Sequence, residues 1–151
     1  MTPFETLIAE LSTEMELPLK PDHHQACRLN FGNDLAVQID LSADADQVLI
    51  GSELGAITVG SYRESILKQA LRVNGLSRAP RGTLAFSEKN DSLVLFQYFP
   101  LATLNGKKLW EFLQLFLEHS KIWKECLESG EVPHLEEDVE EKGSGFFGLT
   151  P

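Results

Sequence analysis

The stretch NGLSRAPRGTLAFSEKNDSLVLFQYFPLATLNGKKLWEFLQLFLEHSKIWKECL, residues 74–127, changes its apolar period partway along. It begins with Asn74-Gly75 and a loop over residues 76–82 that contains Pro80. Two short runs follow, Thr83 to Phe86 and Leu93 to Phe96, joined through Lys89-Asn90-Asp91. Short apolar runs joined by turn residues make a hairpin. The second run continues through Tyr98 and Phe99 without strict alternation, so both faces of this strand need cover. One face can lie on helices, and the other must meet a second layer, a subunit or a ligand. From about Asn105 to Leu127 the period becomes helical. Leu109, Phe112, Leu113, Phe116, Ser120, Trp123 and Leu127 share one face, with Lys108, Glu111, Glu118, Lys121 and Glu125 mostly opposite. Gly130 and Pro133 stop this helix.

Upstream, Ser61 stands three residues before Glu64, the spacing of a capping box. It opens a helix with Tyr62, Ile66, Leu67, Ala70, Leu71 and Val73, which Asn74-Gly75 would close as a left-handed cap. Its apolar positions exceed one narrow stripe, leaving surface for a second partner. From Ala26 to Ile50 the period is two. Cys27, Leu29 and Phe31 alternate with polar residues, Gly32-Asn33-Asp34 turns the chain, and Leu35, Val37, Ile39 and Leu41 form the return strand. Ser42 to Asp46 is a second turn, and Gln47 to Leu54 a third strand. At the start, Thr2 and Pro3 open a helix whose stripe is Phe4, Leu7, Ile8, Leu11 and Met15, ended by Pro18 and Pro21. The order is helix, three strands, helix, two strands, helix, without internal repeat: an α+β domain with a mainly antiparallel sheet.

With 151 residues and 42% hydrophobic content the chain suits one domain, expected over residues 1–130. Residues 131–151 read as an acidic, flexible tail. Between 131 and 142 it holds six carboxylates against Lys142, a self-repelling run that stays solvated. Phe146 and Phe147 stand out within that tail. A net charge of −10, with 13 basic residues against 23 acidic ones, argues against nucleic acid and anionic membrane as partners. The start lacks signal-peptide character and no stretch approaches the length of a membrane span, so a soluble, unexported protein is expected.

Residues with catalytic potential are scattered. There is no G-x-S-x-G elbow, and Ser144 sits in the tail. Cys27 and Cys126 lack C-x-x-C spacing and suit reduced core thiols, although Cys27 lies near His23 and His24. These two histidines, His119 and His134 lack metal-ligand spacing and read as surface or loop residues. No nucleotide cradle follows from Gly51-Ser52-Glu53-Leu54-Gly55 or Gly143-Ser144-Gly145. Neither metal nor cofactor is expected, and apolar surface beyond one small core points to association.

In the order of its elements, residues 1–128 resemble the CesT/SycE class of type III secretion chaperones. The most specific stretch is 74–127: Asn74-Gly75, Leu84-Ala85-Phe86, Ser92-Leu93-Val94-Leu95, the strand end near Pro100-Leu101, and the helix with Leu109, Leu113, Phe116, Leu117 and Trp123. The resemblance implies a homodimer in the bacterial cytoplasm that is not an enzyme and holds the N-terminal segment of one or more secreted effectors extended. Heteromeric pairing with another chaperone stays open, as does a regulatory or adaptor domain binding a folded partner. By the resemblance, the first helix and first hairpin form the effector groove, placing Phe4, Leu7, Ile8, Leu11, Leu29, Phe31, Val37 and Ile39 in or beside it; each also fits the core. The second helix and its adjoining strand would form the dimer interface through Tyr62, Ile66, Ala70, Val73, Val94 and Phe96. The tail beyond Leu127 and the prolines at 18 and 21 depart from the family pattern.

Overall fold

A computed structural model describes residues 1–32, 34–76 and 81–134. Helix α1, Pro3–Met15, starts on a reciprocal cap: the Glu5 N–H donates to Thr2 Oγ1 at 3.1 Å and the Thr2 N–H to Glu5 Oε1 at 3.0 Å. Each bond satisfies a donor the first helical turn would otherwise leave open. Strands β1 (Ala26–Asn30), β2 (Ala36–Leu41) and β3 (Gln47–Ala56) follow as an antiparallel meander. The turn residues between β1 and β2 adopt the conformation that their type favours, with φ of 78° at Gly32 and 59° at Asp34. Helix α2 spans Ser61–Leu76, β4 Thr83–Ser87, β5 Ser92–Pro100 and α3 Gly106–Ser129. Among the described residues this makes three α-helices and one five-stranded sheet, ordered β1-β2-β3-β5-β4, all neighbours antiparallel. The expected element order and α+β class are both present.

Register decides what each face of the sheet carries. Ile39 pairs with Ile50, Leu41 with Val48, Ser52 with Leu95 and Leu84 with Leu95, on the core-facing side of the sheet, where α3 packs against β3 and α1, and α2 against β4. Phe99 stacks edge-on against Phe112 of α3 at 4.8 Å, and Trp123 is almost completely buried. A bulge between Glu53 and Gly55 bends the end of β3 where Leu127 of α3 comes close. At the other end of α3, a Cβ on Gly106 would lie 2.5 Å from the Glu10 carbonyl carbon and 2.8 Å from its oxygen. The Glu10 carboxylate accepts the Gly106 N–H at 3.1 Å, so α1 both crosses α3 at backbone contact and caps it.

Two sequence expectations change here. Asn74-Gly75 does not end α2, which runs on to Leu76. The Asn74 amide instead pairs with the Leu84 backbone, donating to its carbonyl at 2.8 Å and accepting its N–H at 2.9 Å. This tertiary pairing satisfies the outward backbone groups of Leu84 on the edge strand β4 and replaces the local cap. His119 is a core residue, because its position on the apolar stripe of α3 sets it beside Trp123, ring centroids 6.2 Å apart. Cys27 is buried and Cys126 half-buried, both free thiols; burial pushes both thiol pKa values up and keeps them protonated.

Replacing Gly106 by Ala forces a methyl into backbone, and should lower the unfolding free energy by about 3 kcal/mol or prevent folding. Glu10→Ala, which removes only the cap, should cost about 1 kcal/mol. Urea unfolding followed by Trp fluorescence compares the two, and a Gly106→Ala loss no greater than the Glu10→Ala loss would contradict the close crossing.

Candidate functional site

The face of the sheet turned away from the helices carries three rows of side chains. Ala26, Asp40, Leu49 and Tyr98 stand in one, Arg28, Gln38, Gly51, Phe96 and Thr83 in the next, and Val94 with Ala85 beside Glu53 in the third. Tyr98 is 52% exposed and meets Phe96 edge-on at 6.0 Å, while Leu49, Val94 and Phe96 are half-buried. β5 is thus apolar on both faces, Leu93 and Leu95 inward, Val94, Phe96 and Tyr98 outward. The outward set has no covering layer among the described residues. Gly51 sits mid-row without a side chain, and around it the face sinks into a trough of roughly 580 Å³ lined also by Arg28, Asp40, Leu49, Glu53 and Phe96.

The two edges of the sheet differ. At β4, Asn74 occupies the outward N–H and C=O of Leu84. At β1, ladder phase is set by Phe31 N–H to Leu35 O at 2.9 Å and Leu41 N–H to Gln25 O at 3.0 Å. Alternate residues of an antiparallel edge strand turn their backbone groups outward, so Ala26, Arg28 and Asn30 face away from β2. Asp22 closes the first of these. Its carboxylate accepts the Ala26 N–H at 3.1 Å and the His24 N–H at 2.8 Å, and its own N–H donates to the Ala26 carbonyl at 2.8 Å. Among the described residues, Arg28 and Asn30 remain a short free edge beside the trough.

The proposed groove residues fall mostly beneath this surface. Phe4, Leu7, Ile8, Leu11, Leu29, Val37 and Ile39 belong to the core, and only Phe31 is half-exposed. Their stripes point inward because the helix-covered face of the sheet is the one they share. The six residues assigned to a dimer contact separate. Ile66, Ala70 and Val73 are buried against the chain's own core, whereas Val94 and Phe96 lie on the open face. The Tyr62 hydroxyl lies 2.9 Å from the Cys126 carbonyl and 2.8 Å from the Glu131 carbonyl, its one proton shared between them; burial raises its pKa and keeps that proton in place. Gln69 donates to the Pro133 carbonyl at 2.7 Å, so residues 131–134 run along α2 as part of the folded unit. Phe146 and Phe147 lie outside the described residues. Leu71, 72% exposed, is the apolar residue that α2 turns outward. Its surplus position was legible in the helix pattern, but the free edge at Arg28 and the trough at Gly51 were not, since both arise from pairing.

The His24 N–H, then the Ala26 N–H, hold the Asp22 carboxylate below its ordinary range. A depressed folded pKa contributes stability above the unfolded value, and the contribution disappears as pH falls through the folded value. The protection of the Ala26 and His24 amides, measured relative to their intrinsic exchange rates, should therefore fall on acidification below about pH 4 in the native protein, and Asp22→Asn should remove that pH step. An unchanged step in the variant would assign it to another group.

The sequence matches the model of the Tir chaperone protein (CesT) family over residues 6–124. No curated protein matches it. Among solved structures, a chain of the HopA1–SchA chaperone–effector complex superposes with a TM-score of 0.67 at 22% identity, covering 82% of this chain and 94% of that one. A chain of the ExsC–ExsE complex gives 0.65 at 23%, covering 80% and 90%. A chain of the complex of the Yersinia pestis type III secretion chaperone SycH with a stable fragment of YscM2 gives 0.63 at 17%, covering 78% and 96%. At these identities the likeness is one of fold.

Proposed function

Because this chain belongs to the Tir chaperone protein (CesT) family, we propose that it is a type III secretion chaperone, binding the N-terminal segment of one or more secreted effectors in an extended state. Such binding keeps the segment soluble and ready for export and needs no catalysis. The observation that carries this is the pairing of a free strand edge with an uncovered trough in which Leu49, Val94 and Phe96 stand among charged residues. One extended stretch of a client can donate and accept backbone bonds at Arg28 and Asn30, and a neighbouring stretch can cross the open face over Leu49, Val94, Phe96 and Tyr98. Backbone bonds supply affinity and the trough supplies selectivity. The core residues Leu29, Val37 and Ile39 act from below, holding β1 and β2 in register, and Phe31 borders the edge.

The dimer expected of the family would form on the outward face of α2 around Leu71, with Ile66, Ala70 and Val73 as the packed layer beneath. A cytoplasmic location follows from the same proposal. The acidic residues after 134 serve solubility. Deleting residues 135–151 should leave the mass in solution at two chains per particle and lower the solubility limit; a monomer would make the tail part of the interface.

Copurification from the native bacterium followed by limited proteolysis tests the proposal: a protected N-terminal effector segment is expected. Gly51→Val supplies the sharper variant, because the nearest atom to an added Cβ is the Leu95 carbonyl oxygen at 3.9 Å. Filling the trough there should weaken client capture about tenfold or more, a cost of about 1.4 kcal/mol, with unfolding unchanged within about 0.5 kcal/mol. Undiminished capture would move the client off this face.

A further inference from the structure

Asp22 occupies the place at the β1 edge that a residue of an added strand would take. Its N–H donates to the Ala26 carbonyl at 2.8 Å and its carboxylate accepts the Ala26 N–H at 3.1 Å, so one residue of the same chain uses both outward backbone groups of Ala26. Two further bonds hold the fold-back that brings it there. The Gln25 N–H donates to the Asp22 carbonyl at 3.1 Å and the His24 N–H to the Asp22 carboxylate at 2.8 Å, with Gln25 in the left-handed conformation at φ 58°. At its other end β1 runs into the turn to β2, where the Gly32 carbonyl accepts the Leu35 N–H at 2.9 Å and Gly32 has φ 78°. A left-handed residue leaves the extended conformation that a ladder needs. Between these limits, among the described residues, Arg28 and Asn30 are the outward-facing positions, and both are exposed.

We infer that Asp22 is a strand stop: it limits the client stretch added at β1 to the residues opposite Arg28, Leu29 and Asn30 and turns the client chain off the edge at Arg28. This rests on the strand-addition reading proposed above. The next outward position is already filled. A client that ran on to Ala26 would exchange its own bonds for the two that Asp22 makes there, gaining none while dismantling the fold-back. Within the window that remains, the pleat fixes the faces. Client residues opposite Arg28 and Asn30 stand on the open face beside them, and the residue opposite Leu29 stands on the helix-covered side. Backbone pairing alone is indifferent to sequence, so a long free edge would accept any strand, including that of a second copy. A stop one position before the window favours a client with a short paired stretch whose next residues leave the ladder, and such a client has its neighbouring stretch free to cross the open face.

Magnetic resonance of the full chain bound to the effector segment recovered by the copurification above, made as a labelled synthetic peptide, tests this. In the wild-type complex the Arg28 and Asn30 amides should gain exchange protection of about tenfold or more. Cross-strand nuclear Overhauser contacts from the client backbone should reach Arg28, Leu29 and Asn30 and end short of Ala26. Asp22→Ala, checked for fold by circular dichroism, removes both bonds that the carboxylate accepts and should let those contacts extend to Ala26. Asp22→Asn keeps an oxygen acceptor and should restore the wild-type pattern. Contacts that already reach Ala26 in the wild type, or that end at the same residue in Asp22→Ala, would overturn the stop and leave strand addition standing. A bound segment that leaves Arg28 and Asn30 unprotected, or the recovery of no segment at all, would overturn strand addition and the inference with it.

Discussion

The pairing of β3 with β5 is the constraint on which the other features depend. It runs from Gln47 with Pro100 to Ala56 with Ser92 and joins a local meander to a local hairpin. Each of those units pairs residues close in sequence, but the joining ladder brings together segments separated by the whole of α2. Non-local pairing carries a loop-closure cost that buried side chains must offset. Val48, Ile50, Leu93 and Leu95 do so, all completely buried. Once that ladder forms, β1 and β4 become the two edges, and one face of the sheet is committed to α1 and α3.

The consequences diverge at the edges. α2 lies against β4 and spends Asn74 on the backbone of Leu84, which occupies the outward N–H and C=O at that position. At β1, among the described residues, only the first outward position is satisfied, by Asp22, and the next two are not. An unpaired edge invites another strand. Here it borders a face on which Leu49, Val94 and Phe96 stand among charged residues, with Gly51 at its centre.

How far the sequence was legible follows from the range of each interaction. The stripes of α1 and α3, the alternation of β1 to β3 and the Thr2 cap involve neighbours within a few residues, and each element formed where its pattern placed it. The two-sided apolar character of β5 was also visible, because a strand without alternation must bury or present both faces. Asn74-Gly75 misled for the converse reason. A local cap was the available inference, but a partner ten residues away, on β4, took the side chain.

What the sequence alone determined was the order of elements, the class of fold, the family resemblance and the expectation of uncovered apolar surface, since periodicity and propensity are properties of contiguous residues. Tertiary structure decided which side chains occupy that surface. Phe4, Leu29, Val37 and Ile66 are as apolar as Leu49, Val94, Phe96 and Leu71, and composition does not separate the two groups. Register and helix placement do: a residue is core or interface according to whether the layer facing it belongs to its own chain, and only the assembled sheet, with one face covered and one edge open, settles that for each position.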